Sequence, residues 1–190
     1  MKKPAVFIDR DGTLIEEVNF LSRVEDLKLF PYTADSVRQL KRIGFLLIVV
    51  TNQSGIGRGH YTEEAMHAIH DQIQVELDGA IDGFYFCPHL PDATCECRKP
   101  GDGMIRSAQM DFEIDLSASW MVGDKKIDVE TGRDLDIKTA LVLTGYGREH
   151  QHLLDFAPDT IAETLAEAVV TIAASRSQNG EISLPTKIIV

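Results

Sequence analysis

Five short runs in this 190-residue chain are apolar at consecutive positions rather than at alternate ones: Val6–Asp9, Phe45–Thr51, Gly83–Cys87, Ser119–Gly123 and Thr139–Leu143. A strand covered on only one face alternates, whereas a strand covered on both faces does not, so these runs predict strands of a buried, mostly parallel sheet. Helical spacing fills the intervals. Thr33–Arg42 sets Val37, Leu40 and Lys41 on one side. Thr62 is placed to cap a longer helix whose stripe is Ala65, Ile69, Ile73 and Leu77. Met104–Met110 and Asp128–Leu135 predict two shorter helices, the second ending near Asp136. Ile161–Ala174 predicts an Ala-rich helix. The alternation predicts an α/β fold, a Rossmann-like parallel sheet flanked by helices. Neither a repeat nor a linker divides the chain. Residues 1–174 are expected to form one domain, followed by a C-terminal tail at 175–190 in which only Ile188, Ile189 and Val190 are apolar.

Ligands of such sheets sit beyond the C-terminal strand ends. Asp9, Thr51, Cys87 and Asp124 fall at four of those ends, which predicts one constellation. In Asp9-Arg10-Asp11-Gly12-Thr13, two carboxylates follow a buried strand. Asp9 can attack phosphorus as a nucleophile beside a Mg²⁺ ion, and Asp11 can exchange protons with the leaving oxygen and with water. A turn rich in Asp and Gly is the other reading of these five residues. Thr51-Asn52-Gln53-Ser54-Gly55 offers a hydroxyl and backbone N–H groups to an anion, or simply turns the chain. Gly55–Gly59 lacks the full glycine pattern of a dinucleotide loop, and Arg58 within it is a candidate for a remote anionic group. Arg98 and Lys99 supply neighbouring cations for phosphate or sugar oxygens. Asp124 is placed to complete a metal site. Asp128 can hold a metal-bound water, fix Lys125, or cap a helix.

Cys87, His89, Cys95 and Cys97 lie within eleven residues and supply three sulfurs and one imidazole. That inventory fits a closed, structural Zn²⁺ site bracing the loop at 87–97 and aiming Arg98 and Lys99. Unliganded buried cysteines or a reactive thiol are the alternatives. Among the histidines, His67 and His70 are expected to face solvent or pack, and only the loop carrying His60 is expected near substrate.

The formal charge of −11 argues against a nucleic-acid partner. No apolar run approaches the length of a membrane span. A soluble, cytoplasmic monomer is therefore expected.

The Asp-x-Asp-Gly-Thr, Thr-Asn, Lys and Gly-Asp-Lys-x-x-Asp segments together resemble the haloacid dehalogenase-like phosphatases over roughly residues 5–147. The Cys-x-His…Cys-x-Cys-Arg-Lys-Pro loop is similar to that of the branch containing heptose bisphosphate and histidinol-phosphate phosphatases. The resemblance implies Asp9 as nucleophile and Asp11 as acid/base. It implies Mg²⁺ on Asp9, the Asp11 carbonyl and Asp124, and structural Zn²⁺ on the Cys/His loop. It gives Thr51 and Lys99 the transferring phosphoryl group, and places Asn52, Arg98 and Lys125 near phosphate or sugar. A phosphorylated sugar is the implied substrate. The intervals after Asp11 and Thr51 are too short for a large cap domain. Selectivity is thus expected in loops 16–26 and 54–61 and in the zinc loop, whose Leu90–Thr94 segment is short, as in histidinol-phosphate phosphatases.

Overall fold

A computed structural model describes residues 2–178, with side-chain environments through Arg176. Six parallel strands form one sheet: β1 (Ala5–Ile8), β2 (Leu46–Asn52), β3 (Gly83–Cys87), β4 (Trp120–Gly123), β5 (Lys138–Val142) and β6 (Thr160–Ala162), in the order β3-β2-β1-β4-β5-β6. β1 pairs with β2 from Ala5↔Leu46 to Ile8↔Val49, and with β4 from Val6↔Trp120 to Ile8↔Val122. The order reverses at β1, so its C-terminal end opens into the crevice where such sheets bind ligands.

The consecutive apolar positions divide between two cores, as a two-residue side-chain period requires. Val6, Ile8, Leu47 and Val49 face one layer, made by α1 (Thr33–Arg42), α3 (Glu63–Glu76) and α7 (Leu165–Gln178). Ala5, Phe7, Ile48 and Val50 face the other, with Met104, Ile105 and Ala108 of α4 (Gly103–Asp111). Val129 of α5 (Lys126–Asp134) is also buried, against β4 and β5. The remaining helices, α2 (Ser54–Gly57) and α6 (Gly147–His150), are single turns beside the strand ends. No folded cap interrupts the described residues, and none of their helices is long and apolar enough to cross a membrane.

The sequence pattern missed β6. Ile161 and Ala162, expected to begin the last helix, instead pair with Leu141 and Val142 of β5. Thr164 then caps the helix by accepting from the Glu167 N–H, so α7 starts four residues late. It also continues through Gln178, into the stretch expected as tail. The Ser175 hydroxyl donates to the Ile172 carbonyl, and the Arg176 guanidinium lies 4.9 Å from the centroid of the Phe45 ring. The rest of that expected tail, including Ile188–Val190, lies outside the described residues. On α3, Thr62 caps by accepting from the Ala65 N–H as anticipated, but the buried stripe is Met66, Ile69, His70 and Ile73. Ala65 is only half-buried.

Candidate active site

Asp9 lies one residue beyond β1, with its N–H still donating to the Val122 carbonyl. Its carboxylate accepts from Lys99 Nζ at 2.7 Å. The same ammonium donates to the Val50 carbonyl at 2.7 Å and lies 2.6 Å from Asp128 Oδ1. Lys99 is 2% exposed and Asp128 1%, so this is a buried, multiply satisfied cation rather than a surface pair. Burial disfavours the Lys99 ammonium, but Asp128 and Asp9 outweigh it and raise its hold on the proton. Asp128 therefore fixes Lys99 and not the Lys125 amine. Its Oδ2 also accepts from the Lys125 N–H, closing the first turn of α5, so the capping role holds as well.

Ligand atoms of Asp9, Asp124 and Asp128 lie within 4.8 Å of one another, all buried. Asp124 Oδ2 accepts from the Tyr146 N–H, while Oδ1 has no hydrogen-bond donor among the described residues and lies 3.7 Å from Lys125 Nζ. Burial first, and the Asp9 charge second, push the Asp124 carboxyl up to about 8. Burial likewise raises Asp9 to about 6 against the pull of Lys99. Such crowding is what a divalent cation relieves. Gly12 permits it: at φ +83° it adopts a backbone that side chains avoid, and a Cβ there would overlap the Asp124 carboxylate.

Asp11 faces a different set of donors. Arg10 Nε and Nη2 donate to its two oxygens at 3.0 Å each, and Gln53 Nε2 donates to Oδ2 at 2.8 Å. Burial opposes ionisation, but the Arg10 guanidinium and these hydrogen bonds outweigh it and hold the carboxyl below its usual range. Thr51, 1% exposed, lines the cleft between Asp11 and Gln53.

Arg98 and Lys125 line the same cleft. Arg98 donates to the His89 carbonyl at 3.3 Å. Lys125 donates to Glu17 at 3.2 Å and lies over the Tyr146 ring at 4.8 Å. The Asn52 amide is committed to the Lys99 main chain, donating to its carbonyl and accepting from its N–H at 3.2 and 3.0 Å. It clips the lysine loop to β2 at the wall of the cleft, which Asn52 lines. Arg58, at the C-terminal end of α2, is exposed and is not among the residues that line this cleft.

The cysteine loop folds on itself. Cys97 Sγ lies 3.1 Å from Cys87 Sγ and 3.2 Å from His89 Nδ1, and Cys87 Sγ lies 3.7 Å from Cys95 Sγ. Tetrahedral zinc with sulfur at about 2.3 Å sets its sulfurs about 3.8 Å apart, so the four donors already converge as one metal would require. Residues 91–94 between them are exposed.

Several wall residues were not singled out individually, although Glu17, Gln53 and Tyr61 fall in segments expected at the cleft. Gln53 and Tyr61 join the Asp11 network, Glu17 pairs with Lys125, and Tyr146 comes from the fifth strand end. The strand-end rule pointed toward Tyr146, but no motif marked it. His60, from the loop expected near substrate, packs on Phe20 of the loop opposite with centroids 4.3 Å apart. His70 is buried behind Arg10, its Nε2 3.2 Å from Nη1. Burial, then the Arg10 charge, hold its imidazole down to about 3 from 6.5.

The His70 shift gives a measurable pH dependence. Between those two values the unfolded chain binds a proton that the folded chain refuses. Stability due to neutral His70 is therefore complete above pH 6.5 and falls as the pH drops, at about 1.4 kcal/mol per pH unit. Urea unfolding at pH 7 and pH 5 is expected to show the wild type losing about 1–2 kcal/mol more than His70→Gln. Equal losses would contradict a buried neutral imidazole.

Comparison with known proteins places this geometry. A family model described as HAD-hydrolase-like matches residues 96–168. A D-glycero-D-manno-heptose-1,7-bisphosphate 7-phosphatase of Thermosynechococcus vestitus is 40% identical over 188 residues, covering 89% of this chain and 95% of the relative. The D-glycero-beta-D-manno-heptose-1,7-bisphosphate 7-phosphatase of Escherichia coli K12 is 36% identical over 174 residues, covering 86% and 91%. The crystal structure of D,D-heptose 1,7-bisphosphate phosphatase from B. bronchiseptica, complexed with magnesium and phosphate, superposes with a TM-score of 0.83 at 28% identity, covering 90% of this chain and 99% of that one. With near full-length relatives at that identity and a solved structure that superposes over nine-tenths of the chain, the chain is a phosphatase of the haloacid dehalogenase-like superfamily and belongs to the heptose-1,7-bisphosphate 7-phosphatase family.

Proposed function

We propose that the chain removes the 7-phosphate of D-glycero-D-manno-heptose 1,7-bisphosphate through an aspartyl-phosphate intermediate. The observation that carries the substrate is the near full-length likeness to enzymes of that name. The cleft supports it, because Arg98 and Lys125 line the same wall as Asp9 and Thr51 and add cations for a substrate with more than one anionic group.

Asp9 acts as the nucleophile: a carboxylate oxygen bonds phosphorus as the bond to the sugar oxygen breaks. Lys99 orients Asp9 and offsets charge on the phosphoryl oxygens, and Thr51 adds a hydroxyl donor. Asp11 gives its proton to the leaving sugar oxygen. The incoming phosphate, a like charge beside Asp11, raises its proton affinity in the complex, while Arg10 favours the carboxylate once the sugar leaves. That carboxylate then takes a proton from the water that attacks phosphorus and frees Asp9. Mg²⁺ fits the donor set of Asp9, Asp124 and the Asp11 carbonyl, because Asp124 Oδ1 is buried without a hydrogen bond and the carboxylates outnumber the nearby ammonium groups. When bound, the ion neutralises charge and orients phosphoryl oxygens. Zn²⁺ fits Cys87, His89, Cys95 and Cys97 as a brace for the loop.

Steady-state comparison with histidinol phosphate tests the substrate. Two cations at the wall favour a bisphosphate over an alkyl amine, so kcat/KM for the heptose bisphosphate is expected to be higher on the order of a hundredfold or more. A preference for histidinol phosphate would overturn the assignment.

A further inference from the structure

We propose that His70 and Tyr61 are positioning residues for the reaction, acting through Arg10 and Gln53 on the carboxylate of Asp11; this rests on the acid/base reading of Asp11. The guanidinium of Arg10 is 1% exposed, so every N–H it turns inward needs an acceptor. Two go to Asp11 and one to Gln53 Oε1 at 2.9 Å. The remaining edge, Nη1, meets His70 Nε2. Arginine only donates, so Nε2 accepts and the ring proton sits on Nδ1. That Nδ1 has no hydrogen-bond partner among the described residues. A buried unsatisfied N–H costs about 1–3 kcal/mol.

A neutral acceptor has a specific advantage here. A second carboxylate at this place would compete with Asp11 for the guanidinium. An aliphatic side chain would leave Nη1 unsatisfied and free to turn. Imidazole satisfies the edge without drawing charge from Asp11, and stacking on Phe84 holds its plane, with centroids 4.5 Å apart at 19°.

Tyr61 acts on the other arm. Its hydroxyl donates to Gln53 Oε1 at 2.5 Å, beside the bond from Arg10. Two donors on that oxygen fix which way the amide faces, so its NH₂ group points at Asp11 Oδ2 and Thr51 Oγ1, at 2.8 and 2.7 Å. The ring reaches this position only because residue 55 is glycine: a Cβ there would overlap it. His70 and Tyr61 thus fix the two groups that grip Asp11, without touching Asp11 themselves.

The test uses p-nitrophenyl phosphate with saturating Mg²⁺, so that its outcome does not depend on which sugar the cleft selects. His70→Leu is expected to lower kcat about tenfold with KM changed less than about twofold, since misplacing a catalytic group costs turnover more than binding. His70→Gln, which keeps an acceptor near Nε2, is expected to recover turnover to within about threefold of wild type. Tyr61→Phe, which removes one hydroxyl and leaves the packing, is expected to lower kcat about threefold and carries the test if His70→Leu does not fold. In an Asp11→Asn background, His70→Leu and Tyr61→Phe are expected to leave the residual rate unchanged, because their effect runs through the carboxylate. Wild-type kcat in His70→Leu and Tyr61→Phe, equal losses in both backgrounds, or a Gln variant no better than Leu would overturn the proposal while leaving the acid/base reading intact. Wild-type turnover by Asp11→Asn alone would instead remove that reading, and the proposal with it.

Discussion

Replacing Asp9 by Asn is expected to lower kcat on the order of a thousandfold or more, with the fold retained. The substitution keeps the shape of the side chain but removes the anionic oxygen that would bond phosphorus. Lys99 keeps the Asp128 carboxylate and the Val50 carbonyl as partners, so no buried charge is left alone. The melting temperature should therefore stay within a few degrees, corresponding to about 1 kcal/mol or less. Mass spectrometry of rapidly quenched turnover should find one added phosphoryl group on the wild-type protein and none on Asp9→Asn. A variant turning over within tenfold of wild type would remove Asp9 from the nucleophile's role. Lys99→Met is a poorer test. It strands the buried carboxylates of Asp9 and Asp128, a change that costs about 3–5 kcal/mol, so lost activity would confound chemistry with folding.

Removing a ligand of the proposed zinc site is expected to have the next largest effect. Cys97→Ser should abolish stoichiometric zinc, measured by elemental analysis of protein purified without chelator. It should also lower kcat/KM by on the order of tenfold to a hundredfold. The loop has little else to hold it, since residues 91–94 are exposed. Arg98 directly follows the last cysteine and donates to the carbonyl of His89, itself one of the four donors. Loss of the metal thus acts on the cleft wall through a single covalent step. Lys99 has a second anchor in the Asn52 clip, so the defect should appear in KM more than in the chemical step. Wild-type protein free of zinc, or a fully active Cys97→Ser, would defeat this account. Limited proteolysis at residues 90–96 should accelerate in the variant, since the proposed metal would no longer tie the loop.

The acidic constellation was legible because a buried sheet admits charge only at its ends. Asp9 and Asp124 stand directly after apolar runs, and the fold brings their carboxylates together in one buried cluster. The cysteine cluster was legible because all four donors are local in sequence. The second partner of Asn52 was not legible for the converse reason. It lines the cleft beside Thr51, but its amide also meets the main chain of Lys99, 47 residues away. β6 was hidden because three residues with one buried side chain carry almost no period.

By itself, then, the sequence determined the parallel α/β frame, the end of the sheet that carries chemistry, and the residue types available there. Apolar periodicity and local spacing are properties of contiguous chain, and they survive without a fold. Only the tertiary structure decided the partners: Asp128 on Lys99, Arg10 on Asp11, and His70 of a distant helix behind Arg10. Those pairings join residues up to 60 positions apart across a hydrogen bond or an ion pair. Their selection depends on which buried donors and acceptors must satisfy one another once water is excluded, and that constraint exists only in the packed chain.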